Sequence, residues 1–175
     1  PPEAVAVEIR DAYQRGKNMY AYKPDDEPWR LLLWDIELAL GAGGNSPTDS
    51  IYNMHDAVLR NMILNNPAIN REYLRGFQEA LDGPLLPGVA DALLDERYAN
   101  FQQNNVPLIS PQFIKSWIAQ RRAYLLTILP TASFAVTNSA YQVVATTGNT
   151  LTLGGTAPLN VDTILVNSNA YAVTW

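Results

Sequence analysis

Past Pro130 the chain all but stops carrying charge. All twelve Lys and Arg lie before residue 131, as do sixteen of the seventeen Asp and Glu, which leaves Asp162 as the only charged side chain beyond it. The spacing of apolar residues changes at the same place, from a recurrence of about 3.6 residues, that of a helix face, to the alternation of two that marks a strand. A chain that changes solvent chemistry and period together folds as two stretches of different kind. The expectation is an α+β protein: a charged, mainly helical domain over 1–130 and a small, incomplete all-β module over 131–175.

The charged stretch opens on Pro1-Pro2-Glu3-Ala4-Val5, with neither the basic start nor the apolar core of a signal peptide and no Met. It reads as a fragment or a processed product. Val5, Ile9 and Ala12/Tyr13 fit a short helix over Glu3–Tyr13, closed by the polar run to Asn18. Met19–Tyr22 and Trp29–Trp34 read as strands, and Lys23-Pro24-Asp25-Asp26-Glu27-Pro28 between them reads as a turn, so a hairpin is expected. The glycine-rich stretch Gly41–Pro47 reads as a flexible loop. Four helices follow. Asn53 is placed to cap the first, which carries Val58, Leu59, Met62 and Ile63. Asn66-Pro67 starts the second as N-cap plus N1 proline, with Ile69, Tyr73, Leu74, Phe77 and Leu81 on one face until Gly83-Pro84. Pro87 starts the third, with Val89, Leu93, Leu94, Tyr98 and Phe101 inward. Ser110-Pro111 starts the fourth, with Phe113, Ile114, Trp117, Ile118, Leu125 and Leu126 inward, and Pro130 ends it. Short connections and apolar stripes predict a helical bundle packed on the hairpin.

In the charge-poor stretch, Phe134–Val136, Tyr141–Val143, Thr150–Leu153, Thr163–Val166 and Ala170–Trp175 read as strands, with turns at Gly148-Asn149 and Gly154-Gly155. About five strands fall short of an immunoglobulin-type sandwich of ~100 residues. The module is therefore expected to be truncated or to complete its sheet with another chain, its open edge inviting association.

Several function classes are excluded. A net charge of −5 argues against nucleic acid, because neutralising phosphates takes a surplus of Lys and Arg. No apolar run reaches the ~20 residues of a membrane span. With no Cys and one His, disulfides, thiolate–metal sites and thiol catalysis are excluded and a His-rich cage is impossible. Asp35 and Glu37, two apart at the end of an apolar strand, can project together and suit a hard cation such as Mg²⁺ bridging to phosphate; equally, one caps the next segment and the other is solvated. Asn18 is a turn residue tolerant of left-handed geometry unless the hairpin returns it beside Asp35. Asp11 is a general base or a helix-surface carboxylate. His55 reads as capping or partly buried, Arg121 and Arg122 as complementing a helix dipole, and Trp29, Trp34 and Trp117 as core rather than as a binding platform.

The order Gly16-Lys17-Asn18-Met19-Tyr20-Ala21-Tyr22-Lys23-Pro24, then Trp29–Leu33, then Trp34-Asp35-Ile36-Glu37-Leu38-Ala39-Leu40-Gly41 resembles the CotH kinase family. These are atypical, protein-kinase-like proteins of spore coats and bacterial surface proteins. Ile114–Leu125 resembles the closing helix of such domains, so the resemblance spans about 4–129. It implies a kinase-like C-terminal lobe that, in a longer parent, transfers phosphate from ATP with Mg or Mn to a protein acceptor. Asp35 then corresponds to the metal-binding aspartate and Asn18 to the catalytic-loop asparagine. Glu37 stands where the family has a second Asp, with equal charge and longer reach. Asp11 is the nearest match for the catalytic base, although it lies seven residues before Asn18 and kinases space it about five before. No phosphate-covering loop with its lysine precedes this region, so the chain alone is expected to be inactive. The tail resembles β-sandwich modules that follow such domains. The implied setting is extracellular or on the bacterial cell surface, with a protein acceptor or other domains of the parent as partners. The alternative is a non-catalytic structural or interaction module of a surface or spore-coat protein.

Overall fold

The structure is a computed structural model and describes residues 19–53, 57–137 and 148–175. Asp11, Asn18, His55, the helix expected over Glu3–Tyr13 and the strand expected over Tyr141–Val143 lie outside the described residues. Among the described residues the architecture is mixed α+β, with four helices and small antiparallel ladders, as expected of a kinase-like C-terminal lobe with little sheet.

The hairpin forms where the sequence places it. Strand β1 (Met19–Tyr22) pairs antiparallel with β2 (Arg30–Leu33), Met19 opposite Leu33 and Tyr22 opposite Arg30. In the turn, Glu27 N–H donates to the Pro24 carbonyl at 3.5 Å, Arg30 forms an ion pair with Glu27, and Asp26 takes a left-handed φ of 60°. The tryptophans beside it depart from expectation: Trp29 is 65% exposed and Trp34 49%. No described layer covers this face of the two-stranded ribbon, which also carries exposed Tyr20, Tyr22 and Leu32. Trp34 is shielded in part by Tyr20, whose ring stacks on it at 6.2 Å and 16°.

The helices are α1 (Ala57–Asn65), α2 (Pro67–Asp82), α3 (Pro87–Gln103) and α4 (Gln112–Ile128). Asn66 is extended and its side chain accepts from Ile69 N–H at 3.2 Å, satisfying one of the donors that the first helical turn leaves open. The core joins Leu74, Phe77, Ala80 and Leu81 of α2 to Trp117, Ile118 and Leu125 of α4, with Ile51, Leu85, Ala90, Leu129 and Leu159 around them. The inward face of α3 differs from expectation. Val89, Leu93 and Phe101 are exposed, whereas Ala90 is buried and Leu94 and Tyr98 are half-buried. Positions 90, 94 and 98 form a single row at intervals of four, so the helix is rotated to rest on that row. Phe113 and Leu126 of α4 are likewise exposed.

Beyond Pro130, β3 (Ala135–Val136) pairs with β4 (Gly155–Thr156) and β5 (Leu165–Val166) with β6 (Asn169–Ala170). Asn167 (φ 50°) and Ser168 (φ 67°) are both left-handed, as a two-residue hairpin turn requires. The ladder expected over Thr150–Leu153 falls instead at Gly155–Thr156, so Gly155 lies in a strand and not in the expected Gly154-Gly155 turn; a Cβ there would lie 2.3 Å from the Ala135 carbonyl oxygen, leaving room only for glycine. No sandwich is formed among the described residues of this stretch.

Candidate functional site

Strand β2 ends at Leu33, two residues before Asp35. The backbone then turns sharply, Asp35 taking a left-handed φ of 55°. Aspartate tolerates this region better than most side chains, at a cost of about 1–2 kcal/mol. The alternation of two therefore does not run through Asp35 and Glu37, and strand geometry is not what relates their carboxylates. Both residues are exposed. Met19 pairs with Leu33, so the start of β1 and the end of β2 share one end of the hairpin, the end at which Asp35 stands.

After Asp35 the chain runs through linked turns. Ala39 N–H donates to Ile36, Ala42 N–H to Ala39 and Gly44 N–H to Gly41, at 3.0, 3.1 and 3.0 Å. Leu40 (φ 54°), Gly41 (φ 86°) and Gly44 (φ 82°) are left-handed. The stretch read as a flexible loop is tied down by α4. Trp117 Nε1 donates to the Asn45 carbonyl at 3.0 Å, and Arg121 Nη1 to those of Pro47 and Asp49 at 3.2 and 2.6 Å. Trp117 and Arg121 are four apart, on one helix face, so successive turns of α4 grip successive turns of the loop. A Cβ on Gly41 would meet Trp117 Cδ1 at 2.4 Å, so the loop lies against the indole with no room for a side chain. Further along, the Asp49 carboxylate accepts from Ser46 N–H at 2.9 Å, and Tyr73 OH donates to the Ile51 carbonyl.

Arg121 corrects the sequence expectation. It is fully buried, and its guanidinium satisfies loop carbonyls rather than complementing a helix end in solvent. Burying a guanidinium is favourable only where its donors are matched, and carbonyl oxygens of a tightly turned loop match them. Arg122 donates to the Leu81 carbonyl and so ties α4 to the end of α2. The Trp-x-x-x-Arg spacing was the one sequence signal that could have marked this grip.

The donor set at the head of this loop, Asp35 and Glu37, is made of hard oxygen ligands of the kind Mg²⁺ and Mn²⁺ take. Two carboxylates are a partial set: among the described residues no group of three or more His, Cys, Asp and Glu could hold a metal ion. Asn18 and Asp11 lie outside the described residues. A family model described as CotH kinase protein matches residues 4–125. No curated protein and no solved structure matches the chain.

Proposed function

Because the chain belongs to the CotH kinase protein family, we propose that its first 130 residues serve as the C-terminal lobe of an ATP-dependent kinase that phosphorylates a protein acceptor. Family membership points to nucleotide and divalent metal use in general and associates the chain with spore-coat surfaces. The observation that carries the finer reading is the position of Asp35: a left-handed, exposed carboxylate at the head of a loop that Trp117 and Arg121 hold rigid. Phosphoryl transfer depends almost wholly on positioning and on neutralising charge, so a metal-holding carboxylate must be fixed before substrate arrives. Under this reading Asp35, Asn18 and Glu37 hold Mg²⁺ or Mn²⁺, which when bound screens the phosphate charge, and Asp11 is the base candidate. Bacterial cell-surface location, and association through the edges of the 131–175 ladders, are part of the same proposal. No helix among the described residues is long and apolar enough to cross a membrane.

The test is a thermal shift of the full-length protein with Mg²⁺/ATP or Mn²⁺/ATP. Wild type is expected to gain about 5 °C at saturating ligand, and Asp35→Ala to gain none while its ligand-free melting temperature stays unchanged. A second reading is a non-catalytic scaffold that keeps the family fold, favoured by Glu37 standing where the family has a second Asp and by the spacing of Asp11, seven residues before Asn18. A full-length protein that gives no shift with either metal decides for the scaffold.

A further inference from the structure

We propose that residues 155–162, together with Trp175, form a strap clamped onto α2 by Arg71 and Arg75, which makes the helical lobe and the charge-poor stretch one folding unit. Four observations on α2 carry it. Arg71 donates to the carbonyls of Pro158 and Val161 at 2.5 and 3.1 Å. The same guanidinium lies 3.7 Å over the Trp175 ring, a cation–π geometry that pins the end of the segment as well as its middle. Arg75, one helical turn on, forms an ion pair with Asp162. Ala157 and Leu159 are buried, and Leu159 is part of the main hydrophobic core.

The side chains divide the work. Leu159 supplies apolar burial, which holds without direction. Arg71 reads backbone carbonyls, which fixes the register of the strap along the helix. Asp162 is the only acidic side chain after residue 130, and it falls where the strap passes Arg75. Arg75 is also held by Glu72 and Glu79 of its own helix, so its guanidinium is aimed before the strap docks. The strap lies outside the span 4–125 that the family model matches, whereas Arg71 and Arg75 lie inside it.

The chain has no cysteine, so a single one introduced at exposed Asn160 can carry a fluorescent label on the strap. Thermal unfolding is followed by label anisotropy and by helical circular dichroism in the same sample. In the wild-type background the two transitions are expected to coincide. Asp162→Lys, which sets two cations face to face, is expected to lower the label transition by about 3 °C or more and separate it from the helical one. Adding Arg75→Glu to that variant is expected to bring the two together again. Arg71→Ala should separate them as well, without involving the ion pair. Transitions that differ in the wild-type background, or an Asp162→Lys chain that melts as the wild type does, would overturn the proposal, as would a charge exchange that restores nothing. None of these readouts depends on nucleotide, so the strap and the kinase reading stand or fall separately.

Discussion

Gly41 and Trp117 act as a pair. The glycine takes a left-handed φ of 86° and lies so close to the indole that a methyl group has nowhere to go. Gly41→Ala therefore has to move the ring and break its bond to the Asn45 carbonyl, and should cost about 2–4 kcal/mol in chemical denaturation. Trp117→Phe keeps an aromatic ring but removes the donor to that carbonyl, and should cost about 1–3 kcal/mol. Arg121→Met fills the space yet leaves the Pro47 and Asp49 carbonyls without their shared donor. It is expected to lose about 2–4 kcal/mol and to expose the 41–49 backbone to hydrogen exchange while α4 remains protected. If exchange in the loop stays at the wild-type level, Arg121 does not hold it.

At the scale of elements, α2 is begun by its own residues. Asn66→Ala removes the acceptor for Ile69 N–H and should lower stability by about 1 kcal/mol in thermal unfolding, whereas Asn66→Asp should lose little. Tyr52 ties the loop before α1 to the same helix by donating to Asn70 at 2.7 Å. Burial raises its pKa above the ordinary 10.0. The folded state thus favours neutral Tyr52, so this contribution is present below pH 10 and fades as pH rises through the folded value. Tyr52→Phe should flatten the stability profile in that alkaline window. The elements legible in the sequence were those with local punctuation: the proline-rich turn between β1 and β2, Asn66-Pro67, Pro87 and Pro111. What escaped was rotation and reach. Ala90 facing inward in place of Val89 and Leu93 is decided by the neighbouring helices, and burial of Arg121 is decided by carbonyls more than seventy residues earlier in the chain. Of the candidate site, the place of Asp35 at the strand end was legible. Its left-handed backbone was not, since nothing local in Trp34-Asp35-Ile36 demands a positive φ.

For the whole molecule, one side chain of the core comes from beyond the charge boundary at Pro130. Leu159 lies well past it and belongs to the same core as Phe77 and Trp117. The four tryptophans consequently divide by environment. Trp117 is buried, Trp29 and Trp34 are open, and Trp175 sits beneath Arg71. Acrylamide quenching should therefore resolve accessible and protected emission, and Trp117→Phe should remove most of the protected part; uniform quenching would contradict this arrangement. The stacked pair at the hairpin has an optical consequence too. Trp34 immediately precedes Asp35 and has Tyr20 nearly parallel to it at 6.2 Å, close enough for the phenol to pass its excitation to the indole. The protein thus carries its own lamp and detector beside the proposed cation ligand, and a titration there can be followed in the emission of an unlabelled chain.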